Sequence, residues 1–139
     1  MSRRGRANAR SERKPPGDDV VTVTVCRGCC CGSTTKHPGI DHTAQVEQLR
    51  HLPKEAGRGR LSDCLDACER SNVVVVSPSA AGRRAGARSV WLGGVLDDEA
   101  TADVVAWVNA GGPGVADSPG VLDLSEFHPS NRTRKTFET

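Results

Sequence analysis

The stretch Val20-Val21-Thr22-Val23-Thr24-Val25-Cys26-Arg27-Gly28-Cys29-Cys30-Cys31-Gly32 decides how the first half of the chain is read. An unbroken run of β-branched residues is strand-like, and it ends on Cys26 at the mouth of a glycine-rich loop. A second stretch, Cys64-Leu65-Asp66-Ala67-Cys68, leads into Asn72-Val73-Val74-Val75-Val76. Its continuous apolar character reads as a strand buried on both faces. Each close cysteine pair, Cys26-x4-Cys31 and Cys64-x3-Cys68, therefore lies beside a valine run. Two such loops on neighbouring strand ends can bring several sulfurs to one point, as a soft metal ion or iron–sulfur cluster requires. Gly28 and Gly32 are expected to fold the first loop tightly and aim backbone N–H groups at sulfur.

Working outward, Pro15-Pro16-Gly17-Asp18-Asp19 breaks regular structure before the first strand. Asp41 suits the N-cap of a helix whose apolar positions are Ala44, Val46, Leu49 and Leu52, closed by Pro53. Residues 54 to 60 read as a glycine-broken basic connection, and Arg60-Leu61-Ser62-Asp63 as a short strand delivering Cys64. Residues 77 to 88, rich in Ser, Pro, Ala and Gly, read as a mobile hairpin loop carrying Arg83, Arg84 and Arg88. Ser89-Val90-Trp91-Leu92 is the expected return strand. Asp97, Asp98 and Glu99 then open a helix with the face Leu96, Ala100, Val104, Trp107 and Val108, stopped by Gly111-Gly112-Pro113. The order β-α-β-β-β-α predicts an α/β domain, a small mixed sheet flanked by two helices.

Length and charge bound the rest. One domain fits in 139 residues with tails to spare. The aromatics are only Trp91, Trp107, Phe127 and Phe137, so a cofactor bonded to four side chains would help hold so small a core. Residues 1–14 hold six cations and one carboxylate, a local +5, so the remainder carries −3 against a whole-chain +2. That divides the chain into a disordered basic arm (1–18), a folded domain (19–112) and a loose C-terminal tail (113–139), whose Val121-Leu122 and Phe127 dock weakly. The mildly acidic body suits docking on a basic partner; a nucleic-acid partner is not expected. No stretch reaches the about 18 apolar residues of a membrane span, and no apolar segment follows the basic start. A cytoplasmic location is expected, where clustered thiols bind metal or do chemistry more often than they form disulfides.

The full spacing Cys26-x4-Cys31-x32-Cys64-x3-Cys68, together with Trp91-Leu92-Gly93-Gly94-Val95 before an acidic helix start, resembles a known family. It is similar to the thioredoxin-like [2Fe–2S] ferredoxins, which include the small iron–sulfur subunit of respiratory NADH dehydrogenases, over roughly Val20 to Gly112. The four-residue first gap looks like the respiratory subunit, whereas stand-alone ferredoxins space that pair more widely. The resemblance implies a thioredoxin-like fold and a [2Fe–2S] cluster, with Cys26 and Cys31 on one iron and Cys64 and Cys68 on the other. Three consecutive cysteines depart from the family pattern, so Cys30 stands as an alternative to Cys31, with Cys29 a spare thiol. The implied function is one-electron transfer between protein redox partners, a reductase or a larger oxidoreductase subunit, without substrate turnover of its own. Relatives are often dimers.

Other readings stay beside this one. The same sulfurs can hold zinc or another soft metal without a redox role, although structural zinc pairs usually lie closer together in sequence. Cys64-x5-Arg70-Ser71 matches the phosphate loop of cysteine phosphatases, but that loop should open a helix, and here a valine strand begins at Val73. His37, His42, His51 and His128 read as solvated residues, with His37 and His42 placed to tune or replace a ligand beside the first loop. Arg83, Arg84 and Arg88 read as solvated loop charges, with partner docking as the sharper alternative.

Overall fold

The structure, a computed structural model, describes residues 20–27, 31–63, 65, 67 and 70–138. Cys29, Cys30, Cys64 and Cys68 lie outside the described residues, as does the basic arm. Strand β1 is Val21–Cys26, helix α1 His42–Arg50, and β2 Gly57–Ser62. Next come β3 Val74–Ser77, α2 Ala80–Arg84, β4 Val90–Leu92 and α3 Asp98–Ala110. The chain continues through α4 Gly120–Asp123, β5 Glu126–Phe127 and α5 Asn131–Glu138. Among the described residues the strands form one mixed sheet in the order β2-β1-β3-β4-β5. Only β1 and β2 run parallel, joined through α1, while β3, β4 and β5 add on antiparallel. The β-α-β unit followed by an antiparallel hairpin and a helix is the connectivity expected from the sequence.

Period-two alternation sorts the valines between two layers. Val21, Val23, Val25, Val74 and Val76 face α1 and α3, packing with Leu49, Val104, Trp107 and Val108. Val73, Val75, Trp91 and Phe127 form the opposite layer, which also holds Cys26 and Cys31. The Val73–Val76 run is thus buried on both faces, with every member at 0 % exposure. Asp41 caps α1 as read, its Oδ1 accepting from the Ala44 amide at 2.9 Å; Asp97, read as part of the acidic first turn, is the cap of α3, its Oδ1 accepting from the Ala100 amide at 2.7 Å. No helix among the described residues is long and apolar enough to cross a membrane.

Three expectations are corrected. The glycine-broken connection is itself strand, because β2 begins at Gly57 and its glycines admit close neighbours. A Cβ at Gly59 would run into the Leu49 carbonyl of α1, and one at Gly57 would meet a Val108 methyl at 2.6 Å. Residues 77–88 contain helix α2, started by Ser79, whose Oγ accepts from the Gly82 amide at 3.2 Å. The segment after Gly112 is integral to the sheet, not a loose tail. Leu122 joins the helix-side core, and Phe127 lies in β5 opposite Trp91. Trp91 also meets the Phe137 ring edge-on at 5.2 Å.

Candidate functional site

Cys26 sits where three strands converge. Its N–H donates to the Val73 carbonyl at 3.1 Å, and the next amide, of Arg27, donates to the Ser62 carbonyl at 3.0 Å. The chain then returns so that the Cys31 sulfur accepts the Val73 N–H at 3.3 Å. Cys26 hydrogen-bonds Cys31, and its Sγ lies 3.8 Å from the Asp63 carbonyl oxygen. Both cysteines are buried, 2 % and 5 % exposed.

This arrangement makes Cys31 an unusually acidic thiol. The hydrogen bond from Cys26 is the main cause; the Val73 amide and the charges of Arg27 and Lys36 add to it and outweigh the opposing effect of burial. The Cys31 pKa falls from 9.0 to about 6, so near neutral pH the pair is a thiol donating to a thiolate. A thiolate is the form that binds soft metals.

Three described neighbours of the second cysteine pair, Asp63, Leu65 and Ala67, lie at this point. Asp63, immediately before Cys64, reaches the Cys26 sulfur through its carbonyl. Ala67, immediately before Cys68, is buried in the same apolar cluster as Cys26 and Cys31, and Leu65 packs against it. Among the described residues no group of three or more His, Cys, Asp and Glu side chains gathers as a metal site. Of the sulfurs assigned by resemblance, the described residues thus bring together Cys26 and Cys31.

Behind the pair lies a polar network that the sequence reading did not identify. Arg27 Nη1 donates to the Cys26 carbonyl at 2.8 Å, and Nη2 to Gln45 Oε1 at 2.9 Å and to the His42 carbonyl at 3.0 Å. Burial lowers the Arg27 pKa, while the neighbouring Cys31 and Cys26 pull it back up. Asn72, fully buried, accepts the Gly32 N–H at 2.8 Å and donates to His42 Nδ1 at 2.9 Å. Gln45 Nε2 donates in turn to the Val95 carbonyl at 2.7 Å and to Thr101 at 3.2 Å. The cysteine loop is thereby tied to α1, to the start of β3 and to the first turn of α3. A polar residue at the buried 42 and 45 positions of an otherwise amphipathic helix was the available signal.

Two site expectations change. The Gly32 amide serves Asn72, and the N–H that reaches sulfur belongs to Val73; Gly28 lies outside the described residues. His42 is buried, not solvated: because Asn72 donates to its Nδ1, the neutral ring carries its proton on Nε2, which has no partner among the described residues. His37 bonds Ser71 Oγ at 3.0 Å, its pKa lowered by desolvation and by the nearby Lys36 and His42. His51 and His128 are exposed as read. In the phosphatase-like motif, the Arg70 guanidinium lies over the Phe127 ring at 5.1 Å, and Ser71 is buried against His37.

Comparison with protein-family models, with curated proteins and with solved structures finds no match.

Proposed function

We propose that this chain is a thioredoxin-like [2Fe–2S] protein that carries single electrons between protein redox partners in the cytoplasm, without a substrate of its own. The observation that carries this reading is the buried Cys26–Cys31 pair, one sulfur poised as thiolate under the Val73 amide, with Asp63, Leu65 and Ala67 of the second cysteine stretch beside it. The donor set fits a cluster: soft sulfurs, an N–H donor and a nearby guanidinium, beside a buried apolar layer. Cys26 and Cys31 would hold one iron, and by resemblance Cys64 and Cys68 the other. When bound, such a centre supplies one-electron redox chemistry.

The chain's own residues then have defined work. Val73 donates to the Cys31 sulfur and withdraws charge from it. Arg27, fixed by the Cys26 and His42 carbonyls and by Gln45, offsets the negative charge of the thiolates from behind the loop. Asn72 holds the loop after Cys31 through the Gly32 amide. The reduction potential is set by these contacts and by burial.

Anaerobic purification with iron, acid-labile sulfide and zinc analysis tests the proposal. About two irons and two sulfides per chain, with red-brown colour, are expected. Cys26→Ser, Cys31→Ser, Cys64→Ser and Cys68→Ser should each lose iron, whereas Cys29→Ser and Cys30→Ser should keep it. Loss in Cys30→Ser with retention in Cys31→Ser would transfer the second ligand to Cys30. A colourless protein holding zinc would leave a metal-binding protein without redox role.

A further inference from the structure

The two cysteines among the described residues are held side chain to side chain. Cys26 ends β1 with its N–H on the Val73 carbonyl, and the following amide, of Arg27, donates to the Ser62 carbonyl. Cys31 offers its sulfur to the Val73 N–H at 3.3 Å, and the following amide, of Gly32, donates to Asn72 Oδ1 at 2.8 Å. Both ends of the loop are thus anchored on residues 72 and 73, with Cys26 in hydrogen-bond contact with Cys31. A disulfide needs side chains that face each other and sulfurs about 2.0 Å apart. A pair already in hydrogen-bond contact meets the first condition and reaches the second by a small side-chain movement.

The surroundings select what can form the bond. Cys26 and Cys31 are 2 % and 5 % exposed, in an apolar layer with Ala67, Val73, Val75, Trp91 and Phe127. An uncharged disulfide suits that layer, because it places no unpaired charge there. So little exposure works against a bulky disulfide as oxidant, since exchange requires the incoming sulfur to meet the thiol directly. A hydroperoxide, which delivers one oxygen atom, needs a much smaller opening.

We propose that Cys26 and Cys31 close into a reversible disulfide when a small hydroperoxide meets the metal-free chain, and that a dithiol reductant reopens it. Written with Cys31, the more exposed of the two, its sulfur attacks the terminal oxygen of the hydroperoxide. The S–O bond forms as the O–O bond breaks, and the thiol proton leaves with the departing oxygen as water or an alcohol. The Cys26 sulfur then attacks the Cys31 sulfur of this sulfenic acid. The S–S bond forms as the S–O bond breaks, and the departing hydroxide takes the Cys26 proton as water. Two electrons pass from the thiol pair to the O–O bond. On reopening, the reductant's two thiols supply two electrons and two protons and become a disulfide themselves. The bond belongs to the metal-free chain and stands whether or not the electron-carrier reading holds. Where that reading holds, closure removes both sulfurs assigned to one iron, so the oxidised chain takes no cluster until it is reduced.

The test treats the full-length chain, freed of metal by a chelator, with hydrogen peroxide, blocks the remaining thiols by alkylation and digests it with trypsin without reduction. Cleavage after Arg27 and Lys36 separates the two cysteines. Mass spectrometry should find the peptide ending at Arg27 joined to Gly28–Lys36 through Cys31, and dithiothreitol should part them. In the chain carrying Cys29→Ser, Cys30→Ser, Cys64→Ser and Cys68→Ser together, only Cys26 and Cys31 remain. There peroxide should remove both titratable thiols, and dithiothreitol should restore them. Glutathione disulfide at equal concentration should act at least about tenfold more slowly, for want of access. Wild type without the joined peptides would overturn the proposal. So would Cys26 joined instead to Cys29, Cys30, Cys64 or Cys68, both thiols surviving peroxide in the folded four-serine chain, or glutathione disulfide acting as fast as peroxide. Reconstitution of the oxidised wild type with iron and sulfide separates the two claims. Iron uptake should rise at least about tenfold once the bond is reduced, because the ligands must be free thiolates. A chain that forms the bond yet takes no iron after reduction defeats the carrier reading and leaves the disulfide in place.

Discussion

Val73 holds Cys31 by its amide and Cys26 by its carbonyl: the N–H reaches the Cys31 sulfur at 3.3 Å while the carbonyl accepts the Cys26 N–H at 3.1 Å. One residue just before β3 therefore fixes both ends of the first cysteine loop. The same residue is fully buried in the sulfur-side layer, so strand packing and sulfur placement are one structural event.

Metal-free protein should show the Cys31 thiolate directly. The difference in thiolate absorbance near about 240 nm between wild type and Cys31→Ser should titrate with a midpoint of about 6, far below the usual 9.0. The folded-state pKa is depressed, so the associated stability is fully present above the unfolded value and is lost as pH falls through about 6. Urea midpoints of the metal-free protein should fall over that window, more steeply in wild type than in Cys31→Ser. Parallel curves would show that Cys31 is an ordinary thiol.

Asn72→Ala should destabilise the fold by about 1–3 kcal/mol, because the Gly32 N–H and His42 Nδ1 both lose a buried partner. Urea denaturation measures it. Gln45→Leu should cost a similar amount, since it removes one of the two acceptors of Arg27 Nη2 and the side-chain donor to the Val95 carbonyl, and the two effects should not add because the residues share one network.

Gly59→Val should cost more than about 2 kcal/mol by driving α1 off β2, where the Leu49 carbonyl leaves no space for a Cβ. Gly120→Ala, facing open space at the start of α4, should stay within about 0.5 kcal/mol of wild type. Thermal melting of the two variants side by side makes the comparison.

Phe127→Ala should destabilise by about 3–5 kcal/mol, the cost of emptying a buried aromatic site. The ring touches Trp91 at 6.1 Å and carries Arg70 above it. A change near zero by chemical denaturation would return residues 113–139 to the status of a tail.

How much of this was legible follows from where the information lies. Strand β1 was readable because its valines alternate with threonines in an unbroken β-branched run, and β3 because its valines alternate between two layers and must be apolar throughout. The cap Asp41 and the acidic start of α3 were readable because helix starts are signalled locally in sequence. Strand β2 was half missed because Gly57 and Gly59 answer to α1 pressing from above, a contact no local pattern encodes. Strand β5 was missed because two residues carry no period, and only Trp91 across the ladder gives Phe127 its place. At the site, the Cys26–Cys31 pairing was readable from spacing. The Val73 amide and the Asn72–His42 contact join positions about forty and thirty residues apart and appear only once the sheet is formed.

Electron paramagnetic resonance of the dithionite-reduced protein tests the central claim most directly. A reduced [2Fe–2S] centre should give a spin-half signal of about one spin per chain in wild type, absent from Cys31→Ser. A silent wild-type spectrum from protein that holds zinc would contradict it, and a signal that survives unchanged in both Cys31→Ser and Cys30→Ser would do the same.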